Sequence, residues 1–430
     1  IYRGTLMILD PSFECANQKN LLDDIIKPRL SSLFIRVYDF FTYYRWQFDR
    51  ANVDPCMEPM DILEKLPFMT KSDYIMLESD AFLKADRHLF CVETTSGTTG
   101  RPKRRFQSIN DEINEMRLAT RVFAGFDISK DDVVLFIDVG NPSIYIWFAK
   151  ALESLGVKNT IYYGIQSDFD RSLKGIIRLD PTVIVTVPSL LARSYETILR
   201  MYNENKETSL QKIVYFGEKI NNSFRKRLED ELKVEIFSHY GGTEVSTIGG
   251  ECTQHNGIHI YNDVNYPSLI EPKKIDEMTY EGEIAWTTTQ IDVQPVIKYR
   301  IGDVVQIDYS ACPCGRTSPR VKVIGRTDDS FSILGEKFYY DTVLNAVYSN
   351  INETGFMQII LSTEQKKDKL TIILPEKIRS KEKEILFALY QTSELEYFLS
   401  EDFILIELRF VPNDFFSNRK IPSIVDKRIY

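Results

Sequence analysis

Residues able to work on phosphates or to hold a metal fall in a few short segments of this 430-residue chain. Thr94-Thr95-Ser96-Gly97-Thr98-Thr99-Gly100-Arg101-Pro102-Lys103 joins glycines, hydroxyls and a lysine. In such a loop backbone N–H groups, hydroxyl oxygens and an ammonium can converge on a polyphosphate, because glycine permits close approach and unusual dihedrals. It is not a Walker A loop, since Pro102 stands where the spacing G-x-x-x-x-G-K-[ST] needs glycine. Ser238-His239-Tyr240-Gly241-Gly242-Thr243-Glu244 carries a carboxylate beside a hydroxyl, a pair suited to hold Mg²⁺ against phosphate oxygens. Tyr299-Arg300-Ile301-Gly302-Asp303 sets an Asp after a glycine turn, where it can take a ribose diol in two hydrogen bonds. Gly325-Arg326-Thr327-Asp328-Asp329 and Asn418-Arg419-Lys420-Ile421-Pro422 are weak patterns taken singly. Cys252, His259, Cys312 and Cys314 make a Cys₃His set in two clusters of two, the composition of a tetrahedral structural Zn²⁺ site. His255 competes with His259 for the fourth place, and buried packing cysteines with a surface histidine are the alternative.

The elements that would position these groups read as α/β. From Asp131 to Phe237, β-branched runs (Val133–Ile137, Thr160–Tyr163, Thr182–Val187, Lys212–Phe216, Val234–Phe237) alternate with amphipathic stretches such as Ser189–Tyr202. That alternation predicts βαβ units, a mostly parallel sheet and flanking helices. Ligands in such sheets sit beyond the carboxyl ends of the strands, which is where Ser238 to Glu244 falls. A helix is predicted to start near Asn110, with Asp111 and Glu112 in its first turn. The aromatics Phe40, Phe41, Tyr43, Tyr44, Trp46 and Phe48 read as core. Beyond Tyr299 the texture becomes that of a smaller α+β unit: a helix over Asp341–Tyr348, strands over Phe356–Leu361 and Leu370–Leu374, and a charged helix from Lys381.

Charge and composition remove other classes. Lys plus Arg number 53 against 62 Asp plus Glu, a net charge of −9. Wrapping nucleic acid or an anionic membrane needs a positive surface whose counterions can be released, so neither partner is expected. No apolar run approaches the ~18 residues of a membrane span, and Ile1–Pro11 lacks the basic-then-apolar order of a signal peptide. Six cysteines in a chain of this length point to a reducing compartment, hence a cytoplasmic location.

In this order, the five non-cysteine motifs resemble those of the adenylate-forming superfamily of acyl-CoA synthetases, adenylation domains and luciferases. The loop ending at Lys103 is similar to T-S-G-T-T-G-x-P-K, and Tyr240–Glu244 to Y-G-x-T-E. Glu251-Cys252 with Gly257-Ile258-His259-Ile260, and Cys312-Pro313-Cys314-Gly315-Arg316-Thr317, resemble the phenylacetate–CoA ligase branch. The likeness runs from about Leu66 to Arg428.

The resemblance implies an N-terminal adenylation core over 1–327, a mobile lid over 328–430, and a hinge at Asp328. It implies that ATP and a small carboxylic acid, aryl or short acyl, give acyl-AMP, which a thiol then accepts. Coenzyme A is the expected thiol; a carrier-protein phosphopantetheine, an amine, or a nucleotide binder without chemistry are the alternatives. Ser96, Thr98, Thr99 and Lys103, with Gly97 and Gly100, would hold the departing phosphates. Glu244 with Thr243 would serve Mg²⁺ and the α-phosphate. Tyr240, flanked by Ser238 and Gly241, would stack on adenine beside Phe216, Gly217 and Glu218. Asp303 would take the ribose hydroxyls with Arg326 near them. Lys420 would bridge carboxylate and phosphate during adenylation, a task for a positioned cation. A homodimer is left open.

The chain departs from the branch in three places. Asp138–Trp147 keeps little of the Gly- and aromatic-rich acyl-pocket pattern, Arg104-Arg105 extends the phosphate loop, and Arg419 replaces the glycine often found before the lysine. Arg104 and Arg105 read either as solvent-exposed or as a contact for the carrier's phosphate.

Overall fold

A computed structural model describes residues 10–84, 89–94, 103–138, 142–164, 173, 175, 178–204, 208–220, 222–327, 329–333, 336–349, 351, 355–364, 367–401, 404–416 and 423–428. Its first unit, Ile1–Glu218 with Val234–Val323, is built on an eleven-stranded sheet. Strands β3 (Val133–Asp138), β4 (Asn159–Gly164), β5 (Val183–Thr186), β6 (Lys212–Tyr215) and β7 (Glu235–Gly242) form its parallel half, in the order β7-β6-β5-β3-β4. β5 and β6 are buried at every position, as strands covered on both faces must be. These are the β-branched runs the sequence points to.

β7 also starts an antiparallel half. It turns back through β8 (Ser246–Gly250) to β9 (Ile258–Ile260). The sheet then continues through β13 (Arg320–Arg326), β12 (Tyr299–Asp308), β11 (Thr279–Thr288) and β10 (Asn265–Lys274). The approach of β8 to β9 is close: a Cβ on Gly249 would lie 1.8 Å from the His259 carbonyl oxygen, so a side chain there has no room.

The helix Ile109–Gly125 opens with a capping box. Ser108 N–H donates to Asp111 Oδ2 at 2.9 Å, and Asp111 N–H returns a bond to Ser108 Oγ at 3.3 Å, satisfying two otherwise orphan donors. Before this helix, β1 (Leu89–Thr94) and β2 (Arg104–Ser108) form an antiparallel hairpin with Thr94 opposite Arg104. The two ends of the phosphate-loop segment are therefore neighbours.

Of the six aromatics expected in the core, four are there and Phe40 and Trp46 are not, because helical periodicity turns those two outward. Phe41, Tyr43, Tyr44 and Phe48 are buried, while Phe40 and Trp46 are about half exposed on the other side. Helices Lys27–Phe40, Thr42–Ala51 and Lys71–Lys84 pack this cluster onto Ile284, Trp286 and Tyr299 of the antiparallel half.

The second unit is Lys219–Lys233 with Ile324–Tyr430. It has a hairpin, β14 (Ser330–Ile333) and β15 (Glu336–Tyr339), the helix Tyr340–Tyr348 and a four-stranded sheet. That sheet orders β18 (Ile404–Val411), β17 (Lys367–Pro375), β16 (Gln358–Glu364) and β19 (Ile424–Asp426). The helix Asn222–Leu232 lies in sequence between β6 and β7, yet it groups with this unit. Lys219 Nζ donates to Asp341 Oδ2 at 2.8 Å and to the Ile324 carbonyl at 2.9 Å. Among the described residues, no helix is long and apolar enough to cross a membrane.

Candidate active site

The β7–β8 hairpin brings the expected groups together. Its tip, Thr243-Glu244-Val245, is closed by Gly241 opposite Thr247 and by the Val245 N–H on the Gly242 carbonyl at 3.1 Å. Glu244 is buried, and Lys103 Nζ forms an ion pair with its Oε1. The Tyr299 hydroxyl donates to the same Oε1 at 3.1 Å and accepts from Lys103 Nζ at 3.3 Å. A residue just before β2, the hairpin tip and the first residue of β12 thus meet at one carboxylate.

Along the same hairpin, Tyr240 donates its hydroxyl to Asp303 Oδ2 at 2.6 Å, and Asp303 is buried. Ser238 N–H donates to Glu251 Oε2 at 2.9 Å. Phe216 is buried and stacks on Phe136 with centroids 5.8 Å apart. Gly217 follows at φ +75, a left-handed turn that glycine takes without strain, and Glu218 is exposed. Arg326 ends β13 in the second unit, its carbonyl accepting from Asp329 N–H at 3.2 Å. Ser96, Gly97, Thr98, Thr99, Gly100, Asp328 and Lys420 lie outside the described residues.

Sequence reasoning missed a buried polar chain beneath the hairpin. His239 Nε2 lies 3.1 Å from Thr247 Oγ1, and Thr247 donates to Glu115 Oε1 at 2.6 Å. Arg105 stands 3.9 Å from Glu115 and is 4% exposed, with Trp147 beneath its guanidinium. Arg104 pairs with Glu78, which accepts from its backbone N–H at 2.7 Å and from Nε at 3.1 Å. Arg105 is thus committed inside the protein, whereas Arg104 stays exposed and only its partner Glu78 is buried. The signal was available: Glu115 falls in the second turn of a capped helix whose buried face must cover the sheet. Burial pushes His239 down to about 4 and raises Glu115, because desolvation disfavours the charged form of each.

The Cys₃His set also assembles. The ligand atoms of Cys252, His259, Cys312 and Cys314 all lie within 4.8 Å of one another. Cys252 Sγ is 3.8 Å from Cys312 Sγ, and Cys314 Sγ is 3.5 Å from His259 Nε2. Bond lengths of about 2.0–2.3 Å to a tetrahedral centre require edges of this size, whereas a disulfide would need about 2.05 Å. Ser318 Oγ, 3.0 Å from His259 Nδ1, turns Nε2 toward the sulfurs. The Cys252 thiol and the His259 ring hold Cys314 well below the usual thiol range.

The sequence matches the AMP-binding enzyme family over residues 51–280, more than half of the chain. The chain belongs to that family. It is 27% identical to a phenylacetate–coenzyme A ligase of Thermus thermophilus over 374 residues, covering 83% of this chain and 82% of that protein. It is 26% identical to the phenylacetate–coenzyme A ligase of Escherichia coli, covering 71% of each. In fold it is similar to a 2-hydroxyisobutyryl-CoA ligase crystallised in the postadenylation state. The TM-score there is 0.76 at 19% identity, over 97% of this chain and 92% of that one.

The neutral His239 ring carries a pH consequence. Its folded pKa lies below the usual 6.5, so the stability linked to the neutral ring is complete above that value and is lost as pH falls through about 4. His239→Gln is expected to lose less stability than the parent protein between pH 7 and pH 4.5 in urea denaturation. Parallel losses would show that the ring titrates normally.

Proposed function

We propose that this AMP-binding family member is an AMP-forming ligase that activates a small carboxylic acid, aryl or short acyl, as acyl-AMP and passes it to coenzyme A. The observation that carries this reading is the convergence of Lys103, Glu244, Tyr240 and Asp303 along one hairpin at the carboxyl end of the parallel strands. The named activities of the two ligase relatives support it.

In this reading Tyr240 stacks on adenine with Phe216, Gly217 and Glu218 alongside, and Ser238 and Gly241 shape the strand. Asp303 takes the ribose hydroxyls, with Arg326 near them. Lys103 releases Glu244 and turns to the phosphates, joined by the loop residues Ser96, Gly97, Thr98, Thr99 and Gly100. Glu244 with Thr243 supplies hard oxygen donors of the kind Mg²⁺ requires, and the ion when bound neutralises phosphate charge. Lys420 brings a cation to the acid and the α-phosphate as their charge merges. Residues 328–430 then re-orient about Asp328 for thiol transfer. The Cys₃His set holds a structural Zn²⁺, since four protein ligands leave no position for substrate. The location is cytoplasmic.

The direct test is pyrophosphate release over a panel of aryl, aliphatic and hydroxy acids with Mg·ATP, run with coenzyme A, with a phosphopantetheinylated carrier protein, and with neither. Acid-dependent release and a thioester formed only with coenzyme A are expected. Release without acid dependence contradicts the reading, and a product only on the carrier reassigns the acceptor. Lys420→Ala is expected to slow adenylation by about a hundredfold or more while sparing thioester formation from supplied acyl-AMP.

For the metal, about one zinc per purified chain is expected. Cys312→Ser should lose it and lower Tm by several degrees, because the ion stabilises only the folded state. A metal-free parent protein of equal stability would return the cluster to plain packing.

A further inference from the structure

We infer that Tyr299 is a positioning residue of the nucleotide site, its hydroxyl fixing Glu244 while Lys103 leaves for the phosphates. The inference rests on the reading that Lys103 and Glu244 serve Mg·ATP, which assigns no task to Tyr299.

Glu244 Oε1 takes two donors, Lys103 Nζ and the Tyr299 hydroxyl. An ammonium drawn to phosphates stops neutralising that carboxylate, and Glu244 is only 8% exposed. Leaving such a group without a donor is costly. Among the described residues, the donor that then stays on Glu244 is Tyr299.

The two donors differ in how they are held. Lys103 reaches the site on a flexible four-carbon stem. Tyr299 is 1% exposed, and its backbone is secured from both sides. It pairs with Trp286 of β11 on one side. On the other, Met69 N–H donates to the Lys298 carbonyl and Arg300 N–H to the Met69 carbonyl, both at 2.9 Å. The ring packs on Tyr74 with centroids 5.4 Å apart. The hydroxyl is therefore placed by the sheet and the aromatic packing rather than by Lys103. Bonding Oε1 in this way pins the carboxylate rotamer and leaves Oε2 for a hard cation. Partners that orient a ligating carboxylate commonly govern metal affinity by 10–100-fold.

Tyr299→Phe tests this while keeping the ring. Two readouts serve: the Mg²⁺-dependent rise in Tm that ATP gives without any acid, and pyrophosphate release. The Mg²⁺ concentration for half-effect is expected to rise about tenfold in both, with kcat at saturating Mg²⁺ within about threefold of the parent. Unliganded Tm should stay within a few degrees.

Tyr74→Phe is the control. It removes a buried hydroxyl without a hydrogen-bond partner among the described residues from the same aromatic pair, and its Mg²⁺ dependence should match the parent. Lys103→Met gives an independent reading. It should raise the KM for ATP while moving the Mg²⁺ half-effect less than about threefold, because Tyr299 still holds Glu244.

An unshifted Mg²⁺ dependence in Tyr299→Phe, an equal shift in Tyr74→Phe, or a tenfold shift in Lys103→Met overturns the inference. No Mg²⁺-dependent stabilisation of the parent by ATP overturns the nucleotide reading itself.

Discussion

A carboxylate taken out of water must be paired, and Glu244 meets that requirement with donors from two distant parts of the chain. The β7–β8 hairpin sets its depth. Lys103 reaches it because β1 and β2 pair in a register that returns the chain beside Thr94. Tyr299 reaches it because β12 is anchored between β11 and Met69. Shift any of these registers and the charge is stranded, so the position of one side chain constrains the packing of the whole first unit. The same requirement makes the site responsive. The cation that neutralises Glu244 in this state is also the one suited to a polyphosphate.

The same rule operates around Glu14. Glu14, 1% exposed, accepts from Arg316 Nε at 2.6 Å and from Arg121 Nε at 3.3 Å. Arg121 also bonds Asp263 at 3.1 Å and lies over the Tyr261 ring at 3.9 Å. Arg316 Nη1 is 3.7 Å from Cys314 Sγ, so this network borders the Cys₃His set and ties the segment around Glu14 to it. Removing one member of a buried pair generally costs about 3–5 kcal/mol, because its partner is left charged and dry. The N-terminal segment is therefore fastened by charge as well as by apolar packing.

Much of this was legible in the sequence, for identifiable reasons. β3 to β7 stood out as short β-branched runs, most plainly β5, which is buried at every position, and the capped helix at Ile109–Gly125 announced itself through Asp111 and Glu112. The Cys₃His set was legible as two spaced clusters of two and through the likeness to the phenylacetate–CoA ligase branch. The antiparallel half was less so. β10 exposes its turn end and β11 half-buries its own, and both carry charged residues there, which blurs the alternation. Arg105 illustrates a different limit: nothing local tells that it is buried against a glutamate ten residues on while its neighbour Arg104 is exposed. Glu14 with Arg316, and Lys103 with Glu244, join residues that are neighbours only after folding. Tyr299 sat inside a recognised motif, yet the motif's Asp drew the attention and the hydroxyl's target could be found only in three dimensions.

In the proposed function, a buried, paired Glu244 is the centre of an acid-activating nucleotide site. The most direct measurement is acid-dependent exchange of labelled pyrophosphate into ATP, compared between the parent protein and Glu244→Gln. Exchange should require an acid and fall by about a hundredfold or more in the variant, with AMP still bound. Exchange in the variant at the parent rate would contradict that role for Glu244.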